Sequence, residues 1–145
     1  MSQRIASTRW FIRGVCGALG LLSLCVSAVE VIVHPNVTAT ALTVSTARST
    51  FGMRQNKWPD GTPVRVFVLA DAHPLHNAFC KEVLDVFPYQ LRQSWDRQVY
   101  SGIGQAPTEL FSEEQMIERV STTLGAIGYV KKVSDHDAVR IITVH

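Results

Sequence analysis

Cysteine is scarce in this chain. Three occur in 145 residues, and Cys16 and Cys25 both precede residue 29, so the remainder holds Cys80 alone. A single cysteine cannot close an internal disulfide, which excludes a stapled secreted mini-domain. A chain of this length does not need one, since it buries roughly two-thirds of its unfolded surface. An excess of one charge sign is also missing. Of the 14 Lys and Arg residues, Arg4, Arg9 and Arg13 stand in the first 28 positions, which hold no acid; the rest carries 11 bases against 12 acids, a formal −1. No clustered basic footprint for nucleic acid exists, and Lys131-Lys132 reads as a solvated strand end. Long hydrophobic runs are missing too. The run around Val15–Val26 is about 14 residues long, against about 20 for a membrane span. No internal repeat or low-complexity linker interrupts residues 29–145, so they read as one domain.

What is present begins with Met1 to Ala28: three arginines, a short apolar run, then Val26-Ser27-Ala28 with small residues at the cleavage positions. This is the pattern of a secretory signal peptide. It implies export to the periplasm or beyond, and no stable membrane span after cleavage; the alternative is an uncleaved N-terminal anchor. Lipid attachment at Cys25 is disfavoured because Leu24 is too large for the position before a lipidated cysteine. Asn36-Val37-Thr38 fits a glycosylation acceptor and reads as chance.

Along the mature chain, Val29–Val33 predicts a first strand from its β-branched content. Residues 43–51 are ambiguous: Leu42, Ala47 and Phe51 suit a helical face, but Thr, Val and Ser are poor helix formers, and Gly52 would supply a left-handed C-terminal stop. Trp58-Pro59-Asp60-Gly61-Thr62-Pro63 predicts a turn, and Val64–Leu69 a strand covered on both faces. A helix is expected from about His73 to Val86, capped by Asp71 or His73, with Pro74 in its first turn. A second starts at Pro88, with Leu91, Trp95 and Val99 as its buried stripe. Ser101–Pro107 is a loop. Ser112-Glu113-Glu114-Gln115 reads as a capping box, with Phe111 and Met116 as a hydrophobic staple. Met116, Val120 and Leu124 make that helix's buried face, and Gly125 ends it. Strands follow at Ala126–Val130 and Ala138–Val144. Strands alternating with helices predict a layered α/β domain.

His73, His76 and Cys80 fall at i, i+3 and i+7 on one predicted helix, offsets that can gather metal ligands. The plainer reading is that Cys80 is a buried small hydrophobe and the histidines lie in an exposed first turn. Glu113 and Glu114 are accounted for by the helix dipole. Asp135, His136 and Asp137 share a turn without a partner. No Ser-His-Asp arrangement emerges, so no enzyme is expected, and no metal or cofactor.

Three strings in order, Phe51-Gly52, Trp58–Val64 and Gly125-Ala126-Ile127-Gly128-Tyr129-Val130, resemble phosphate-type periplasmic solute-binding proteins of ABC transporters. Leu124 stands where that family usually has proline. The resemblance runs from about Val29 to Val130 and implies an α/β fold, a single periplasmic-binding-protein-like lobe with a mixed sheet flanked by helices. The family's members have two such lobes that close on their ligand; this chain has the length of one. The resemblance also implies a small oxyanion or other small solute as ligand, and an ABC permease or envelope protein as partner. In the family an arginine ends the strand before the helix, and Ser-Gly-Thr opens the helix, so that N–H groups and a hydroxyl receive the anion. Here Leu69 replaces the arginine, and His73, Pro74 and Leu75 replace Ser-Gly-Thr; Asp71 is kept. Proline removes one donor. The ligand-contact residues carried over are therefore Asp71 and His73, with Gly102, Gly104 and Gln105 from the glycine-bearing segment that lines the family's cleft, which otherwise reads as a plain connection. The expectation is a non-catalytic solute-binding module with its phosphate site largely replaced, or an envelope interaction module that binds no small ligand.

Overall fold

The computed structural model describes residues 29–145; the segment read as a signal peptide, with Cys25, lies outside the described residues. In chain order the elements are β1 (Glu30–Val33), β2 (Ala41–Leu42), α1 (Val44–Phe51), β3 (Arg65–Leu69), α2 (Pro74–Ala78), α3 (Pro88–Tyr100), β4 (Thr108–Leu110), α4 (Glu113–Thr122), β5 (Ala126–Val130) and β6 (Arg140–Val144). A π-helical turn, Phe79–Val83, continues α2. The six strands form one mixed sheet in the order β2-β6-β1-β5-β3-β4. β3 runs parallel to β4 and β5, while β1 is antiparallel to β5 and β6. The layered α/β lobe predicted from the sequence is the one that forms.

Crossover handedness explains the layering. From β3 the chain moves outward to the edge strand β4, then returns past β3 to β5. Right-handed crossovers in opposite directions must pass over opposite faces. So α2 and α3 lie on one face and α4 on the other. On the α4 side, Gly128 lets the helix approach: a Cβ there would stand 2.4 Å from Met116 Sδ. On the other side Tyr129 stacks on Phe79 at 3.8 Å, and Phe79 meets Phe51 edge-on at 4.6 Å. Trp95 is buried beside them, and its Nε1–H donates to the Phe51 carbonyl at 2.7 Å. Each such side chain contributes about 1.5–3 kcal/mol by leaving water.

The Trp58–Pro63 turn forms as its residues dictate. Asp60 Oδ1 accepts the Thr62 N–H at 2.9 Å, and Gly61 takes φ +89°. Trp58 is buried, and its Nε1–H donates to the Gly125 carbonyl at 2.9 Å. That bond fastens the turn before β3 to the entry of β5. Gly125 has φ +72°, and a Cβ there would meet the Pro63 carbonyl oxygen at 2.1 Å.

Several local expectations are corrected. Residues 44–51 are helical, because Thr43 Oγ1 caps the first turn by accepting the Thr46 N–H. The left-handed residue after α1 is Met53 (φ +61°), not Gly52 (φ −77°). Gly52 is needed for closeness instead, since a Cβ would sit 2.7 Å from the Arg48 carbonyl oxygen. The helix expected to reach Val86 widens into the π-turn and ends at Val83, where Leu84 N–H reaches back to Phe79 O and Asp85 turns left-handed. Val99 is 47% and Leu124 66% exposed, so each stripe loses its last member as the helix end leaves the sheet. The staple is absent: Met116 is buried under Gly128 while Phe111 points to solvent. The capping box is half formed. Ser112 Oγ accepts the Gln115 N–H, but Gln115 Oε1 reaches Phe111 N–H rather than Ser112. Two short edge strands, β2 and β4, escaped the sequence reading.

Candidate functional site

In parallel β/α units, strand C-termini and the following helix N-termini meet at one edge, and ligands sit there. Here β3, β4 and β5 end at Leu69, Leu110 and Val130. Asp71 and His73 follow β3 at this edge. A depression of about 300 Å³ lies here, lined by His73, Pro74, Leu75, Ala78, Glu113 and Lys131. Its backbone donors at the two helix starts are limited by the chain itself. His73 is the N-cap of α2, its Nδ1 accepting the Leu75 N–H at 3.1 Å. Pro74 has no N–H to offer. At the start of α4, Ser112 caps the helix, and Glu113 Oε2 accepts the Lys131 N–H at 2.7 Å.

Beside this depression stands an ion cluster. Arg92 on α3 donates from Nε to Asp71 Oδ2 at 2.9 Å and from Nη2 to Asp71 Oδ1 at 2.8 Å, a bidentate fork. Nη2 also reaches Glu109 Oε2 on β4 at 3.3 Å. The guanidinium lies 4.8 Å over the Trp95 ring. The hydrogen bonds to Asp71, chiefly, hold the Arg92 pKa above its ordinary value. One cation between two carboxylates leaves the cluster at −1.

A polar chain runs inward from Asp71. His76, fully buried, has Nε2 at 3.7 Å from Asp71 Oδ1 and 3.6 Å from Cys80 Sγ. Its Nδ1 lies 2.5 Å from the Tyr129 hydroxyl oxygen, which accepts the Leu69 N–H at 2.8 Å. The phenol proton is therefore free to donate to Nδ1, which assigns the Nε2–H tautomer to a neutral imidazole. Burial lowers the His76 pKa, against the opposing pull of Asp71; at 3.7 Å that carboxylate does not make the contact a standing ion pair. Burial raises the Cys80 thiol to about 12 and pushes Tyr129 up as well. Cys80 thus stays a protonated thiol near neutrality, a poor nucleophile and a poor metal ligand. Among the described residues, no buried side-chain nitrogen or oxygen lacks a hydrogen-bond partner. Nor does any group of three His, Cys, Asp or Glu stand where it could hold a metal.

The exposed first turn expected for both histidines holds only in part. His73 is half-buried, and His76 turns inward to the Tyr129 hydroxyl. Gly102, Gly104 and Gln105 precede β4 and lie at the opposite, N-terminal edge. Gly102 takes φ +70° with open space around it, and Gly104 packs against Gln98. Gln105 lines a separate cavity with Arg65, Thr108 and Arg119. The structure therefore brings Asp71 and His73 together, gathers the other three elsewhere, and separates the two groups by the length of the strands. Sequence reading missed Arg92, Glu109 and Tyr129. An Asp kept without a local cation was the one available signal that an arginine must arrive from another element.

No protein-family profile matches the sequence, and no curated protein does. Solved structures do match in fold. One, described as a phosphate ABC transporter substrate-binding protein with bound phosphate from Clostridium perfringens, superposes with TM-score 0.63 at 18% identity, covering 80% of this chain and 44% of that one. An ABC-type phosphate transport receptor from Vibrio cholerae gives 0.60 at 12% identity, over 80% and 45%. PstS from Borrelia burgdorferi gives 0.62 at 18%, over 80% and 46%. The chain has the fold of these phosphate-transporter binding proteins and spans less than half their length.

Proposed function

We propose that this chain is an exported, non-catalytic module of the solute-binding type, built as one lobe spanning residues 29–145, whose ligand edge has been rewired away from phosphate. One observation carries the reading: at the edge where such folds receive ligands, the arginine is already held by Asp71 and Glu109. The half-length match to phosphate-transporter binding proteins supports the solute-binding class. An incoming oxyanion would have to displace two carboxylates from Arg92 and meet a cluster of net −1. A solute with a neutral or cationic group fits Asp71 and His73 better.

One lobe encloses a ligand from one side only, so tight binding requires a second surface. An envelope protein or an ABC permease supplies it in this reading, with no role for nucleic acid. Among the described residues no helix is long and apolar enough to cross a membrane.

Calorimetric titration of the purified protein with phosphate, sulfate, and neutral and cationic small solutes tests the proposal. Phosphate is expected to give no micromolar binding at Asp71 and His73. Micromolar phosphate with NMR shifts at Asp71, His73 and Lys131 would sink the rewired edge. A second reading, an interaction module without small ligand, is favoured by exposed aromatics: Phe87 and Tyr89 stack on each other at 5.7 Å, and Tyr100 is 88% exposed. Silence across all solutes, with an envelope partner captured by cross-linking, would select it.

A further inference from the structure

The other end of the strands carries two arginines of its own. A cavity of about 280 Å³ opens there, lined among others by Arg65, Phe67, Gln105, Thr108, Arg119 and Thr123. Strand register places the arginines on one face. Arg65 and Phe67 are two apart on β3 and share the α4 side, and Thr108 pairs with Phe67 on β4. Arg119, on α4, holds its guanidinium 5.4 Å over the Phe67 ring. Among the described residues, neither Arg65 nor Arg119 has an ion-pair or side-chain hydrogen-bond partner. Every donor on two forked cations is thus available, and a guanidinium matches an oxyanion bidentately.

We infer that Arg65 and Arg119, with Gln105 and Thr108, form a second binding site, at the N-terminal edge, for a small organic oxyanion: a carboxylate or phosphate group on a short carbon skeleton. The size of the cavity argues for a group larger than a bare ion. Its walls are mainly polar, with Met53, Val64, Ala106 and Pro107 supplying the smaller apolar part that a short carbon skeleton can lie against, and its volume lies just below the usual range of small-molecule sites. One effect opposes anions: α4 ends at Thr122, beside Thr123, so the negative end of its dipole faces this cavity. That end amounts to about half an elementary charge, which two full guanidinium charges outweigh. The site is independent of the rewired edge, since none of its residues belongs to the Asp71 cluster.

The test is NMR titration of the whole exported protein with citrate and with glycerol 3-phosphate, using glycerol as the uncharged control. Citrate separates the carboxylate source of the chemistry from the phosphomonoester. At least one anion is expected to bind below millimolar, with amide shifts at Arg65, Thr108, Arg119 and Thr123, and to weaken as salt is raised. Arg119→Gln and Arg65→Gln should each weaken it about tenfold or more, the loss of a charge-assisted contact. Both side chains are exposed, so unchanged melting temperatures would confirm that the variants fold. Shifts confined to Asp71, His73 and Lys131 would overturn the site, as would no saturable binding by about 10 mM. Equal binding by both variants would mark an adventitious ion only and overturn it too. None of the last two results would touch the reading of the C-terminal edge.

Discussion

At the C-terminal edge of the parallel strands one arginine faces two carboxylates, while at the N-terminal edge two arginines face none among the described residues. The difference follows from what lies beneath each. Under Asp71 sits the buried His76–Tyr129 pair, which needs every polar atom satisfied because an orphaned buried group costs about 1–3 kcal/mol. The carboxylate, the arginine and the imidazole therefore close on one another. Under Arg119 lies the Phe67 ring, which asks for no hydrogen bond and leaves the guanidinium's donors uncommitted. The C-terminal edge thus holds its arginine in internal pairs, while the N-terminal edge leaves its two guanidinium groups uncommitted among the described residues.

The strongest way to break the contrast is to disturb the frame both edges share. Gly125→Ala puts a Cβ 2.1 Å from the Pro63 oxygen at φ +72°. It should cost about 3 kcal/mol or more, read by urea unfolding. A cost under 1 kcal/mol would mean the turn before β3 is free to move.

Next in size is Tyr129→Phe. It removes the acceptor of Leu69 N–H and the donor to His76 Nδ1 while keeping the stacked ring. Two orphaned groups predict a loss of about 2–4 kcal/mol. Near neutrality in the melt would show that water replaces the hydroxyl and that the edge is not sealed.

Acid sharpens the comparison further. In the unfolded chain His76 protonates near its ordinary 6.5, while burial keeps the folded value lower. Between those values unfolding takes up a proton, so stability falls as pH drops below about 6.5, by up to about 1.4 kcal/mol per pH unit. His76→Gln should flatten that slope in melts recorded from neutral pH down to 5. An unchanged slope would assign the acid sensitivity to other groups.

The smallest effect is expected at the surface. Arg92→Met should cost about 0.5–1 kcal/mol, since the fork to Asp71 is partly exposed, and less at high salt. Paired with Asp71→Asn in a double-mutant cycle, it measures how firmly the ligand edge is held shut. A coupling of zero would return Arg92 to an incoming anion and weaken the proposed rewiring.

Much of this fold was legible one residue at a time. The Asp60-Gly61 turn, a cap at Asp71 or His73 ahead of Pro74, the Ser112 cap and the β5 strand follow from local chemistry that neighbours in sequence supply. The candidate site was legible only in half. Asp71 and His73 belong to one β3–α2 connection, so their proximity came with the chain. Gly102, Gly104 and Gln105 belong to the connection before β4, and no local pattern says which end of the sheet that connection occupies. His76 illustrates the same limit. Its helix position is visible in the sequence, but its burial depends on Tyr129, which stands 53 residues away.

The sequence by itself determined the alternation of strands and helices and the turns and caps that bound them, because each rests on contacts within a few residues. The tertiary structure alone decided that Arg92 and Glu109 meet Asp71, that His76 is sealed under Tyr129, and that Arg65 and Arg119 share a cavity at the far edge. Those pairings span tens of residues and depend on strand order and crossover face. Local propensity carries no record of either.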